Sequence, residues 1–161
     1  MLAPLLAGTA VVVAACGGGS ASTTSSGAAA TSTTAATASA TASAASAKSR
    51  IKHNWTEFFN ASTSNAKRLA VLQNAQQYKQ VIIAQSKNPL ARQSTAKVNG
   101  ITLTAPDKAT VHYTVLVAGK PALKNQTGTA IKSGGTWKVS DKSFCALLGM
   151  EGSKPAVCPK S

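Results

Sequence analysis

Proton-transfer chemistry needs a histidine or a carboxylate held beside a second polar group, and this sequence contains few of either. Its histidines are His53 and His112, and its acids are Glu57, Asp107, Asp141 and Glu151. Asp107 follows Pro106 in a turn and Asp141 falls where a strand ends, so both read as turn or cap residues. Glu151 lies in the terminal loop, and Glu57 is off the stripe formed by Trp55 and Phe58, facing solvent. His53, two residues before Trp55, falls on the far side of the same helix. His112 sits mid-strand, opposite Val111 and Tyr113. If the Val/Tyr face packs on the helices, His112 points outward. In the other orientation it lines a pocket, where with a carboxylate it would serve a small hydrolase or isomerase. There is no Gly-rich phosphate loop, nucleophile elbow or His/Cys/Asp ligand cluster. A non-catalytic protein without metal or cofactor is therefore the first expectation, and an enzyme built around His112 the alternative.

The three cysteines carry more information. Residues 1–16 hold a short apolar stretch ending in Val13-Ala14-Ala15-Cys16-Gly17. Its length suits a signal-peptide core rather than a membrane span. The ending resembles a bacterial lipobox, in which the peptidase reads small residues in an extended backbone and cuts before the cysteine. Cys16 would then carry a diacylglyceryl thioether with palmitate-type chains, and the mature protein would stay on the outer face of the cell membrane or be shed from it. One acyl chain gives only reversible binding, whereas two hold firmly. No Lys or Arg precedes the apolar run, so the true start is expected upstream of Met1. Removing Cys16 leaves Cys145 and Cys158, an even pair in an exported domain, where disulfides persist.

Composition divides the chain. Residues 1–47 contain no Asp, Glu, Lys or Arg, so the whole net charge of +13 sits on 48–161. Residues 17–47 consist of 12 Ala, 8 Ser, 7 Thr and 4 Gly. Such a segment buries too little to offset its ordering entropy and reads as a disordered tether with a reach of roughly 30 Å, either plain or O-glycosylated. The division is a signal over 1–15, a lipidated Cys16 and tether over 16–47, and a folded domain over 48–161. The basic residues Lys48, Arg50, Lys52, Lys67 and Arg68, and Lys120, Lys124, Lys132, Lys138 and Lys142, either keep the domain soluble or draw it to anionic lipid or acidic wall polymers. Aromatics are too scarce, at 4%, to favour nucleic acid.

The folded part changes period at Pro89. Before it, Ile51, Trp55, Phe58 and Phe59 form one helical stripe over 50–62, with Ser49 as N-cap. Further helices are expected over 65–73 and 75–86. After it come four strands. The first, 95–104, carries a bulge or turn at Asn99-Gly100. The second, 109–117, alternates on Val111, Tyr113, Val115 and Val117. A turn at Ala118-Gly119 leads to the third, 123–131, and the hairpin signal Gly134-Gly135 to the fourth, 136–140. A helical turn at 143–148 closes the chain. Three helices packed on a curved four-stranded antiparallel sheet make an α+β fold. Trp55, Phe58, Tyr113 and Trp137 sit where apolar faces should meet, as core residues or as the lining of a pocket that His112 would share.

The helix-helix-helix-meander order, the run Gly134-Gly135-Thr136-Trp137-Lys138-Val139-Ser140, and Ser143-Phe144-Cys145 with Leu147-Leu148 resemble an actinobacterial lipoprotein family. They are similar to the mycobacterial low-molecular-weight secreted antigens over about 49–161. The resemblance implies the cone-shaped fold of nuclear transport factor 2 (cystatin-like) and an exported, often immunogenic protein with no activity or functional residues to carry over. Ala75 stands where a helix-breaking glycine is expected, so the second and third helices are expected to run together.

Overall fold

The computed structural model describes residues 32–152 and 154–158. Helix α1 spans Ser32–Phe59, much longer than the segment expected over 50–62. Its apolar stripe is as expected: Ile51, Trp55, Phe58 and Phe59 are all buried. What differs is the start. Ser49 is no cap, and the helix continues back through half of the expected tether. The segment 32–47 contains neither glycine nor proline and is half alanine. Helix nucleation is the costly step, and the packed half of α1 supplies it, so the alanines can propagate the helix outward although the intervening Ser and Thr are weaker formers. The rest of the tether, 17–31, lies outside the described residues, as does the signal segment.

Helix α2 covers Asn65–Ala70, capped by the Ser64 hydroxyl, which accepts from the Lys67 N–H. It ends earlier than expected because Val71 and Leu72 leave it to pair with the last strand. The Val139 N–H donates to the Val71 carbonyl (2.8 Å) and the Gln73 N–H to the Val139 carbonyl (2.9 Å). Leu72, fully buried, thereby covers a strand edge that would otherwise stand open. Asn74 then takes a left-handed conformation (φ 51°), which asparagine tolerates better than most residues. It does the work expected of a glycine, so the two helices do not merge. A 3₁₀ turn at Ala75–Tyr78 leads into α3, Lys79–Gln85.

A second 3₁₀ turn, Ala91–Gln93, opens the sheet. Strands β1 (Ser94–Ala105), β2 (Lys108–Val117), β3 (Lys120–Ser133) and β4 (Thr136–Val139) form an antiparallel meander in chain order. The register slips between Val98 and Gly100, where the bulge was expected. Ala118-Gly119 and Gly134-Gly135 all have positive φ, matching the twist of tight hairpins. On β2, Val111, Tyr113 and Val115 are buried toward α1 while His112 is exposed on the opposite face. The edge-on contact of Trp55 with Tyr113 (5.2 Å between centroids) shows which face the helix covers.

The closing helix, α4, spans Asp141–Met150 and is a full element rather than the single turn expected. Ser140 is its N-cap, accepting from the Ser143 N–H. Ser143 in turn accepts from the Thr129 N–H on β3 at 2.7 Å, so the cap and the sheet share one hydroxyl network. Phe144, Leu147 and Leu148 turn inward.

Candidate functional site

Four of the residues expected at a core or pocket are deeply buried: Trp55, Phe58, Tyr113 and Trp137. Their surroundings differ. Trp55 and Tyr113 fill the space between α1 and the sheet, and Phe59 completes the aromatic group. The Trp55 ring lies directly on Gly128 of β3, where a methyl group would have no room. Burial pushes the Tyr113 hydroxyl up to about 12. Trp137 sits farther along α1, where the Asn54 side-chain amide donates to its carbonyl at 2.6 Å. It borders shallow surface hollows with Arg50, Leu103 and Lys132 rather than an interior cavity.

Phe58 belongs to a different place. It lines a cleft between α1, α3, α4 and β2, together with Ile82, Val115, Phe144 and Leu148. The cavity volume is about 60 Å³. Edge-on ring contacts from Phe144 to Phe58 (5.5 Å) and Tyr78 (5.6 Å) hold the wall. The cleft also contains Arg68, whose side chain is only 7% exposed. Arg68 therefore does not belong to the basic surface, where its sequence neighbour Lys67 remains. Its Nη2 donates to the Asn60 carbonyl at 2.8 Å. Its Nε is buried without a hydrogen-bond partner, a state it shares with the Trp55 indole nitrogen. Desolvation lowers the guanidinium pKa from its ordinary value.

His112 is brought to none of these residues. It stands on the outer face of the sheet, with Nδ1 3.3 Å from the Thr127 hydroxyl. His53 is exposed and faces Glu57 at 3.7 Å along α1, so Glu57 is half-buried between His53 and Lys67 rather than fully in solvent. Asp141 starts α4 and accepts from the Asn74 side chain, as a cap-region residue should. Cys145 and Cys158 form a disulfide with 5.6 Å between Cα atoms, tying α4 to the terminal segment. The Tyr78 hydroxyl lies 3.6 Å from the Cys145 sulfur and, since a disulfide has no S–H, is the donor. Cys16 lies outside the described residues. Among the described residues there is no cluster of three metal-ligating side chains, and no helix long and apolar enough to cross a membrane.

This arrangement of long helix, meander and disulfide-closed terminus coincides with a family match over residues 43–155, to the low molecular weight antigen MTB12, C-terminal domain. The chain belongs to this family. Membership places it among secreted or cell-envelope proteins, outside the cytoplasm. No curated protein matches the chain significantly. The MTB12-type domain begins in the match at residue 43, inside α1 and ahead of the boundary expected at Lys48. Arg68 and Gly128 are the residues that sequence reasoning missed. Gly128 alone interrupts the side-chain pattern of β3, a signal for close backbone approach that was open to reading.

Proposed function

We propose that this MTB12-type protein is a non-catalytic envelope module, held on the outer face of the membrane by a lipid on Cys16 and presenting a ligand-binding domain with a basic surface. The aromatic filling of the interior carries the reading. Trp55, Phe59 and Tyr113 occupy the volume that an open cone would offer a substrate, and the chemistry-bearing side chains His53, His112 and Asp107 face solvent. The lipobox-like run ending at Cys16 supports the anchor, and α1 supports display. At about 1.5 Å per residue, its 28 residues form a rod of roughly 42 Å, whose N-terminal end is the one nearer Cys16 in the chain. The exposed lysines along α1 and the meander favour anionic lipid or acidic wall polymers as neighbours. After a high-salt wash that removes charge-held protein, replacing Cys16 by Ser in the expressed full-length protein should move it from the membrane to the soluble fraction. Equal membrane retention of both forms contradicts the anchor.

A further inference from the structure

We propose that the cleft between α1, α3 and α4 binds a monocarboxylate carrying an apolar chain, with Arg68 holding the carboxylate. The proposal extends the reading of the domain as a binding module, and its test does not depend on the lipid anchor.

A guanidinium is almost never this deeply buried without an opposite charge beside it. Among the described residues, no carboxylate pairs with Arg68. Its hydrogen bond to the Asn60 carbonyl uses one Nη donor, and its Nε–H meets no acceptor. Arginine stays protonated at neutral pH, so Arg68 brings to an apolar wall a fixed positive charge with no counter-charge beside it. A carboxylate supplies the missing counter-charge and matches guanidinium geometry better than a neutral group does.

The shape narrows the ligand further. A cavity of about 60 Å³ accepts a carboxylate head and the first carbons, with Phe58, Ile82 and Phe144 as their apolar contacts. The remaining chain must leave through the rim. There the exposed Glu151 carboxylate accepts from the Gln85 side chain at 3.0 Å. That negative charge disfavours a second carboxylate at the far end of the ligand, and Arg68 disfavours an amine at the near end. A medium-chain fatty acid fits this pattern, while a dicarboxylate or an alkylamine does not.

The test is titration of the full chain, labelled with ¹⁵N, by sodium octanoate, octan-1-ol and octanedioate, following the Arg68 Nε–H resonance. Octanoate should shift it saturably, and octan-1-ol and octanedioate should bind at least about tenfold more weakly, as expected when a charge-assisted hydrogen bond is missing or an adverse charge is added. Arg68→Met should weaken octanoate binding by at least the same factor, read from the cleft-lining amides. Because that change also frees the Asn60 carbonyl and can cost the fold, Ala91→Leu serves as the second variant. It fills the cleft and leaves Arg68 in place, and it should also abolish the shift. Absence of a saturable shift in the natural chain, equal binding of octanoate and octan-1-ol, or unchanged binding in a folded Ala91→Leu protein overturns the proposal.

Discussion

Replacing Gly128 by Ala probes the contact that locks α1 onto the sheet. The new Cβ would lie 2.6 Å from Cη2 and 2.7 Å from Cζ2 of Trp55, and 3.2 Å from the Ser143 hydroxyl. Carbon atoms prefer about 3.5–4.0 Å, so the ring would have to retreat by about 1 Å. It has nowhere to go: Trp55 is 1% exposed, with the Tyr113 ring edge-on at 5.2 Å and the Phe59 ring tilted against it at 6.2 Å. Overpacking of this kind costs about 1–3 kcal/mol. Alanine also restricts the unfolded chain, which returns about 0.4–1 kcal/mol. The net loss should be about 1–2 kcal/mol, read as a urea midpoint lowered by roughly 1 M at a slope of about 1–2 kcal/mol per molar. Trp55→Phe removes both clashing carbons. In that background Gly128→Ala should cost little or nothing, so the double-mutant cycle should show a coupling of about 1–2 kcal/mol. An unchanged midpoint for Gly128→Ala, or the same loss in both backgrounds, refutes the packing described.

Other expectations follow from individual groups. The Tyr113 hydroxyl is raised from 10.0 to about 12 by burial, so between these pH values the unfolded chain loses a proton that the folded chain keeps. Stability must then fall as pH climbs through this window, by about 1.4 kcal/mol per unit and roughly 3 kcal/mol in all. Tyr78 is raised by burial and, second, by Asp141, and acts in the same direction. Tyr113→Phe should flatten the decline in urea midpoint over this range, and an unaltered slope counts against the assignment. Reducing the Cys145–Cys158 disulfide opens a loop spanning a separation of 13 residues and should cost about 3 kcal/mol in a thermal melt with and without reductant. Recovery of two free thiols from the exported protein would contradict the pairing. With Cys16 replaced by Ser, the exposed lysines should still bind anionic but not neutral vesicles, each contributing at most about 1 kcal/mol. Raised salt should abolish this as the Debye length drops below about 8 Å. Equal binding to both vesicle types would reduce the charge to a solubility feature.

The α+β order was readable because its signals are local. The stripe Ile51, Trp55, Phe58 and Phe59, the alternation along β2, and the paired glycines at 134–135 each act within a few residues. The outward position of His112 followed once one face of β2 was seen to meet α1, a choice that local pattern alone left open. The reach of α1 back to Ser32 was hidden because Ala/Ser/Thr composition suits a tether and a helix alike until something nucleates it. Asn74 looked unremarkable beside Ala75, although asparagine at positive φ ends a helical segment as glycine would. The burial of Arg68 was the least legible feature of the sequence. Beside Lys67 it looked like one more surface cation, and its burial depends on α2 folding against the end of α1, where the Asn60 carbonyl receives it. Gly128 likewise acquires meaning only when α1 crosses β3 and places Trp55 over it.

The claim on which this account turns is that the domain is displayed from a lipidated cysteine. Intact-mass analysis of the mature protein extracted from its native membrane tests this most directly. The mature chain should begin at Cys16 and exceed the mass of the polypeptide by a diacylglyceryl group. A mature chain that starts elsewhere, or one that starts at Cys16 with an unmodified thiol, would contradict it.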